Sequence, residues 1–299
     1  MQPSLFPEDD FTQDDTFTQI VNVASVPQRS PFRYPGGKTW LVPRIRQWLW
    51  SLPEKPSEFI EPFAGGGIVS LTVAFEGLAN HVTMIELDEQ VSAVWETVLN
   101  GGGRRLAERI QHFDLTPETV EAELSKEGIT GEELAFQTIL RNRINHGGIL
   151  APGSGVLKYG ENGKGIKSRW YPKTLARRIL HIGEIKNRIA FVPGDGLGYL
   201  RENAHRRDAV FFIDPPYTAA GKKAGKRLYM YNELDHEALF ALCETLQGDF
   251  LMTYDNAEGV QELADRHEFD TQAIVMKNTH HAEMTELLIG RNLDWARRL

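Results

Sequence analysis

The sequence contains a single cysteine, Cys243, in 299 residues. One thiol cannot build a disulfide framework or a cysteine-ligated metal site, so both kinds of scaffold are excluded. No apolar run approaches the roughly 18 residues that a membrane-spanning helix needs. The first residues also lack the basic segment and apolar stretch of a secretory signal peptide. These absences predict a soluble, cytoplasmic protein without a membrane association.

Metal-ligand spacing and phosphate-binding glycine motifs are also lacking. The histidines are scattered and show no spacing typical of a metal site, so we expect no bound metal ion. The glycines at 65–67 have neither the spaced G-x-G-x-x-G form of a dinucleotide site nor the Lys-Ser/Thr of a P-loop. A dinucleotide oxidoreductase is therefore disfavoured.

The net charge of −8 argues at first against nucleic acid as a partner, but the charges are segregated. Residues 1–20 carry five acidic side chains and no Lys or Arg, which predicts a disordered acidic tail over 1–29. Residues 141–188 carry eleven Lys or Arg against two Glu. A second basic cluster comprises Lys222, Lys223, Lys226 and Arg227. These segments predict nucleic-acid contact; the alternative is a solvated helical surface.

The order of apolar segments predicts an α/β fold. Strands are expected at 57–63 and 81–85, followed by helices at 68–77 and 90–99, which is the start of a parallel sheet. Later strands are expected at 189–192, 209–213, 250–253, 273–276 and 286–289. The last two are expected to form an antiparallel pair that closes the sheet.

Residues 104–188 have no clear strand, and helices are expected there at 133–145 and 173–188. The predicted organisation is therefore a tail at 1–29, a catalytic domain at 30–103 and 189–299, and a helical, basic insertion at 104–188.

The strongest local motif follows the expected strand at 209–213 and consists of Asp214, Pro215, Pro216 and Tyr217. Ligands of open α/β sheets bind beyond the carboxyl ends of the strands. Two prolines leave a loop that offers carbonyl acceptors and almost no N–H donors. Asp214 and the Pro215 carbonyl can accept both hydrogens of an exocyclic amine, while Tyr217 can stack on the base. The alternative is a strand end that the prolines terminate.

A second motif follows the first expected strand. Glu61 and Phe63 precede three glycines that begin at Gly65 and end at Gly67, where a ligand can approach the backbone closely. Glu61 would repel a pyrophosphate but suits a cationic sulfonium and its amino group. The motif therefore favours S-adenosylmethionine over a dinucleotide.

Four further residues are candidates for this site. Glu86 ends the second strand about 20 residues after the glycines, where an acid can bind ribose hydroxyls. Asp88 is the expected N-cap of the next helix. Asp195 can accept from an adenine amine or cap the helix expected at 197–203, and Lys38 can reach a carboxylate or a backbone oxygen.

Three motifs occur in a fixed order: Tyr-Pro-Gly-Gly-Lys at 34–38, Glu-Pro-Phe-Ala-Gly-Gly-Gly at 61–67 and Asp-Pro-Pro-Tyr at 214–217. Together they resemble the Dam-like group of DNA adenine-N6 methyltransferases, whose last strand also resembles the segment at 286–289. This resemblance implies a Rossmann-like class I methyltransferase sheet with a helical DNA-recognition insertion. It also implies S-adenosyl-L-methionine as methyl donor and a flipped adenine in double-stranded DNA as acceptor.

The resemblance implies roles for individual residues. Cofactor contacts are implied for Tyr34, Lys38, Glu61, Phe63, Gly65, Gly67, Glu86, Asp195 and Asp214. The target base would be held by Asp214, Pro215, Pro216 and Tyr217. The region between the second and third sheet units recognises DNA in similar proteins, and it coincides with the basic segment. Candidate DNA contacts there are Arg141, Arg143, Lys158, Lys167, Arg169 and Trp170.

Two other classes of function are open at this point. One is methylation of another exocyclic amine, on cytosine N4 or on RNA adenine, although Asp214 favours adenine because cytosine enzymes resemble a Ser-Pro-Pro-Tyr form. The other is a DNA-binding regulatory or decoy module with an inactive methyl site, which the joint presence of Lys38, Glu61, Glu86 and Asp214 disfavours.

Near the N-terminus, the residues from Gln2 to Phe6 resemble the bacterial sliding-clamp-binding peptide. A short apolar hook in a disordered arm can bind a groove when it folds. The sequence therefore also offers a sliding clamp as a candidate partner; the alternative is a chance match of five residues.

Overall fold

The computed structural model describes residues 26–33, 37–160, 163–216, 234–277 and 283–297. Several sequence predictions fall outside these ranges: the clamp-binding peptide at Gln2 to Phe6, Tyr34, Tyr217, the basic cluster at 222–227, and most of the acidic tail. They stay predictions.

The described residues contain one sheet of seven strands. The strands are β1 (Glu58–Glu61), β2 (His81–Glu86), β3 (Ile189–Pro193), β4 (Ala209–Ile213), β5 (Phe250–Asp255), β6 (Asp270–Lys277) and β7 (Glu283–Gly290). Their order is β3-β2-β1-β4-β5-β7-β6. The first five strands pair in parallel, and β7 lies antiparallel between β5 and β6. This sheet confirms the predicted Rossmann-like fold with an antiparallel closing strand.

The α-helices of the described residues are α1 (Val42–Ser51), α2 (Ile68–Glu76), α3 (Glu89–Leu99), α4 (Gly103–His112), α5 (Pro117–Leu124), α6 (Gly131–Ile144), α7 (Pro172–Glu184), α8 (Gly196–Asn203), α9 (His236–Thr245), α10 (Glu258–Arg266) and α11 (Asp294–Arg297). The helices expected at 68–77, 90–99 and 133–145 match α2, α3 and α6 to within two residues. The helix expected at 173–188 ends earlier, because a separate 3-10 turn at Lys186–Arg188 follows α7.

Alternating side chains on the central strands build two apolar layers. Phe59 of β1 and Phe212 of β4 pack in one cluster with side chains of α1 to α7. Their neighbours Ile60 and Phe211 pack in the other cluster with side chains of α8, α9 and α10. Near-complete burial of strands on both faces is what a parallel sheet between helix layers requires.

The helices between β2 and β3 share the core of the sheet. Helix α6 packs on α3, and α4 packs on α7. Buried side chains of this region, such as Phe136 and Ile179, belong to the same apolar cluster as Phe59 of β1. Helices α4 to α7 thus extend one helix layer of the fold.

The N-terminal boundary of the packed chain lies earlier than the sequence predicts. Val26 is buried, with 2% of its surface exposed, and the Arg29 guanidinium lies 3.2 Å from the Glu76 carboxylate. The predicted tail at 1–29 is therefore wrong for its last four residues. Acidic composition shows where charge lies but not where packing begins.

Candidate active site

The carboxyl ends of β1 to β4 open onto a cavity of about 630 Å³. The strand order reverses between β1 and β4, which is where open α/β sheets bind their ligands. The cavity is lined by the described cofactor and base-binding candidates: Lys38, Glu61, Phe63, Gly65, Gly67, Glu86, Asp195, Asp214, Pro215 and Pro216. Residues predicted from separate motifs therefore meet at one place.

The turn after β1 requires glycine at position 67. Gly67 has φ 62° and precedes the first residue of α2. A Cβ atom there would lie 2.5 Å from the Met84 side chain and 2.9 Å from the Trp95 ring. The Trp95 indole N–H in turn donates to the carbonyl oxygen of Gly65 at 2.9 Å. The turn therefore packs closely against Met84 and Trp95, and the hydrogen bond from Trp95 helps to fix it at the cavity wall.

Glu61 is the last residue of β1 and is 4% exposed. Its Oε2 accepts a hydrogen bond from the Ser70 backbone N–H at 3.1 Å, in the first turn of α2. Burial raises the pKa of Glu61 to about 8, and the negative charges of Asp214 and Glu86 add to this effect. The carboxyl group can therefore be neutral or charged near neutral pH, depending on what binds beside it.

Glu86 ends β2 and joins two loops. Its Oε2 accepts from the Gly65 N–H at 2.7 Å, and its Oε1 accepts from the Asp88 N–H at 2.9 Å. Burial raises the pKa of Glu86 to about 7. Asp88 accepts from the backbone N–H groups of Gln90 and Val91, which confirms its prediction as the N-cap of α3.

Asp195 stands at the rim of the cavity as the N-cap of α8. Its two carboxylate oxygens accept from the N–H groups of Leu197 at 3.1 Å and Gly198 at 3.0 Å. Of the two interpretations of Asp195, the structure contains the helix cap, and the contact with adenine stays a prediction. The next residue is pressed against the turn after β1, because a Cβ on Gly196 would lie 2.1 Å from the Pro62 carbonyl oxygen.

A buried charge cluster lies beside Asp214. Lys38 is 3% exposed, and its Nζ lies 3.1 Å from Asp214 Oδ1 and 3.4 Å from Glu286 Oε2. The Thr253 hydroxyl donates to the same Asp214 oxygen at 2.8 Å. Burial raises the pKa of Glu286 to about 7, against the opposing effect of the Lys38 charge. One ammonium thus sits between two carboxyl groups.

The motifs do not assign a role to Thr253 or Glu286. Thr253 lies on β5, and Glu286 lies on β7, which the sheet places next to β5. Glu286 is 248 positions from Lys38 in the sequence. The available signal in the sequence is a carboxylate directly before the apolar residues 287–289, because an acid that is buried in a strand needs a partner.

The DNA-contact candidates do not form one exposed surface. Lys158 and Lys167 are exposed, whereas Arg141, Arg169 and Trp170 are partly buried. Arg141 donates to the side chains of Gln90 and Gln137, and the Trp170 ring packs against Phe113.

Arg143 does not fit the prediction of a DNA contact on the outer surface. It is 5% exposed and lines the cavity. Because α6 packs against α3, its basic residues are divided between the interior and the surface, which a charge count cannot resolve.

Two further findings concern metal ions and membrane-spanning helices. Within the part of the chain that the structure describes, no group of three or more His, Cys, Asp or Glu side chains is placed to hold a metal ion. No described helix is both long enough and apolar enough to span a bilayer.

Comparison with known proteins gives one family match. Residues 34–123 match the family described as D12 class N6 adenine-specific DNA methyltransferase. The rRNA methyltransferase aviRa from Streptomyces viridochromogenes is 14% identical, with 91% of this chain and 93% of that chain covered and a TM-score of 0.39. A methyltransferase from Geobacter sulfurreducens is 13% identical, with 87% and 80% covered and a TM-score of 0.38. No curated protein matches the chain significantly.

The donor set of the cavity fits S-adenosylmethionine, which carries a sulfonium, an ammonium, a carboxylate and ribose hydroxyls. Glu61 and Glu86 would offer carboxylate oxygens to the cationic groups and the hydroxyls, and the turn at Gly67 would let a ligand lie against the backbone. The raised pKa values of both acids agree with a site whose charge is compensated by a cationic ligand.

We expect the affinity for S-adenosylmethionine to rise at least about fivefold from about pH 6 to about pH 7.5, and more if both acids must ionise. Glu86 with a pKa of about 7 and Glu61 with a pKa of about 8 are largely protonated at the lower pH. A bound cation favours their ionised forms, so binding must release protons. Isothermal titration calorimetry in buffers of different ionisation enthalpy measures that release.

The matched control for this titration is Glu86→Gln, which should lower the number of protons released and weaken binding at the higher pH. An affinity independent of pH, or a net uptake of protons, would contradict the assignment of these acids to the cationic part of the ligand.

The family match lies in the part of the chain that forms the glycine turn and the first two strands. It therefore confirms the resemblance that the motifs predict. The chain has a class I methyltransferase fold with S-adenosylmethionine as methyl donor, and its residues 34–123 have the sequence pattern of the D12 class N6 adenine-specific DNA methyltransferases.

Proposed function

We propose that the protein transfers a methyl group to N6 of an adenine flipped out of double-stranded DNA. The observation that carries this proposal is the position of Asp214 and Pro215 in the same cavity as the glycine turn and Glu61. Asp214 and the Pro215 carbonyl offer two acceptors to an exocyclic amine. The similarity of residues 34–123 to adenine-specific DNA enzymes supports adenine as the base.

S-adenosylmethionine supplies an electrophilic methyl group when it is bound. Asp214 and Pro215 would orient the amine so that its lone pair faces that group, and orientation of this kind supplies much of the rate. Lys38 and Thr253 fix Asp214 by contacts to one carboxylate oxygen at 3.1 and 2.8 Å. Flipping the base costs a few kcal/mol, which contacts elsewhere on the DNA must supply.

The region proposed to recognise DNA adjoins the cavity. The segment that follows α6 contributes Gly147, Gly148, Leu150 and Ala151 to the cavity wall. Beyond it, Lys158 and Lys167 are exposed, and Tyr159 is 83% exposed. We propose these lysines as phosphate contacts and Tyr159 as a residue that reaches a base. A DNA substrate would place the protein in the cytoplasm.

The function is tested with S-adenosylmethionine labelled in its methyl group. The protein is incubated with mixed-sequence duplex DNA and, separately, with RNA, and the products are digested to nucleosides. We expect the label in N6-methyladenine from DNA. Excess S-adenosylhomocysteine should suppress it, which serves as the control.

Each other outcome changes a specific part of the proposal. Label in N4-methylcytosine, or only in RNA, would overturn the substrate and leave the methyltransferase fold and donor in place. Cofactor binding without transfer to any nucleic acid would favour a DNA-binding module with an inactive methyl site.

A further inference from the structure

Three arginines line the cavity in addition to the acids and Lys38. One is Arg33, and the other two present their guanidinium groups from two helices of the insertion. They belong to Arg143, near the end of α6, and to Arg178 in α7. Arg143 is 5% exposed and Arg178 is half-buried. Within the described ranges, neither side chain has a carboxylate in ion-pair distance. Two positive charges therefore lie at the cavity wall without an anion between them.

Both guanidinium groups are held by backbone oxygens of one segment. Arg143 donates to the carbonyl oxygen of Pro31, and Arg178 donates to that of Ser30 at 2.9 Å. The Arg143 Nε is buried and, among the described residues, has no hydrogen-bond partner. Burial, and then the positive charge of Arg178, lowers the pKa of Arg143 to about 10. An anion beside these two guanidinium groups would relieve their mutual repulsion.

The position of the pair indicates which anion fits. The Ser30 hydroxyl donates to the carbonyl oxygen of Gly66 at 2.5 Å, so this segment lies directly on the glycine turn. A backbone phosphate of duplex DNA stays at the protein surface, whereas the Arg143 side chain is almost fully buried. The anion is therefore part of a small ligand that enters the cavity.

The charges of the cavity match those of its cofactor. Glu61, Glu86 and Asp214 can face the sulfonium and the ammonium, but no acid can face the carboxylate of the methionyl group. We propose that Arg143 and Arg178 bind this carboxylate and thereby select a cofactor that has it. The proposal rests on the cofactor of the proposed function and is independent of adenine as the acceptor.

The test compares S-adenosylmethionine with decarboxylated S-adenosylmethionine, which keeps the sulfonium and the amine. Binding is measured by calorimetry on the full chain without nucleic acid. We expect the unmodified protein to bind the carboxylated ligand about 10- to 100-fold more tightly, as charge-assisted hydrogen bonds predict. In Arg178→Gln this preference should fall to a few-fold, while the affinity for the decarboxylated ligand stays nearly constant.

Two further variants complete the experiment. Arg177→Gln removes a neighbouring charge on the same helix, but Arg177 is exposed and does not line the cavity, so the preference should be retained. Arg143→Lys keeps the charge and loses the planar fork, so the preference should fall here as well. The ratio of two affinities within one folded variant is insensitive to moderate losses of stability.

Other results would overturn the proposal. An equal loss of affinity for both ligands in Arg178→Gln would assign the arginines a structural role only. Unchanged cofactor affinity, together with weaker DNA binding and a salt dependence reduced by about one phosphate contact, would assign them to DNA. Because no methyl transfer is measured, failure of the proposed DNA substrate leaves this test valid.

Discussion

Replacing Asp214 by alanine is expected to lower kcat for methyl transfer by about 10²- to 10³-fold, the effect of removing one preorganised group at a reacting centre. The variant loses the carboxylate acceptor that stands beside the Pro215 carbonyl in the cavity. Lys38 and Thr253 then lose the carboxylate that they hold in position. Single-turnover rates with a labelled methyl donor measure the chemical step directly.

Comparing the effect on kcat with the effect on cofactor affinity distinguishes this role from a general loss of structure. The affinity for S-adenosylhomocysteine should change by less than about tenfold, because the transition state and not the ground state loses most. Thr253→Val is the graded comparison: it removes one hydrogen bond to Asp214 and should cost about tenfold. A kcat within threefold of the unmodified protein in Asp214→Ala would remove Asp214 from the mechanism.

Replacing Lys38 by methionine is expected to lower the free energy of unfolding by about 3 kcal/mol, in the range found when one partner of a buried ion pair is removed. The ammonium lies between Asp214 and Glu286 at 3.1 and 3.4 Å and is 3% exposed. Without it, two acids face each other in the interior. Urea unfolding monitored by fluorescence measures the loss.

A double variant and a pH series separate this electrostatic cause from poor packing. Lys38→Met combined with Glu286→Gln should recover about 1 to 2 kcal/mol, since one of the two opposed acids is then neutral. The pKa of Glu286 is already raised to about 7 in the folded protein. The unfolded chain therefore binds fewer protons than the folded one, and stability falls as pH rises from about 4.5 through about 7.

The Lys38→Met variant should follow this sign with a larger amplitude. Its deficit should be smaller at about pH 5, where the acids take up a proton, than at about pH 8. A loss of stability that is the same at both pH values, and that Glu286→Gln does not recover, would contradict the charge argument.

The strands could be predicted because each is a short apolar segment bounded by turn residues. Ala209–Ile213, for example, is apolar throughout and ends at Pro215 and Pro216. The position of β7 between β5 and β6 could not be predicted, because pairing across a sheet depends on contacts far apart in the sequence. The helices α4 and α5 were not predicted, although α4 buries Leu106, Ala107 and Ile110 at helical spacing and Thr116 caps α5 immediately before Pro117.

The site divides in the same way. Glu61, Gly67, Glu86 and Asp214 could be predicted because each ends a strand, or lies in the loop after a strand, whose carboxyl end faces the cavity. The ion pair between Lys38 and Glu286 could not be predicted, because it depends on where the sheet places β7. The burial of Arg143 could not be predicted, because it depends on the packing of α6 on α3. A count of basic residues does not distinguish interior charges from surface charges.

Asn142 has a consequence for how the methyl donor and the proposed nucleic-acid substrate influence each other. Its amide donates to the Arg33 carbonyl oxygen at 2.9 Å and accepts from the Arg33 N–H at 2.8 Å. These bonds, with those of Arg143 and Arg178, fasten residues 30–33 to two helices of the insertion, and the Ser30 hydroxyl passes the connection on to the glycine turn. Hydrogen bonds thus connect the insertion directly to the cofactor pocket. If nucleic acid changes the affinity for the methyl donor by some factor, thermodynamic linkage requires that the donor change the affinity for nucleic acid by the same factor.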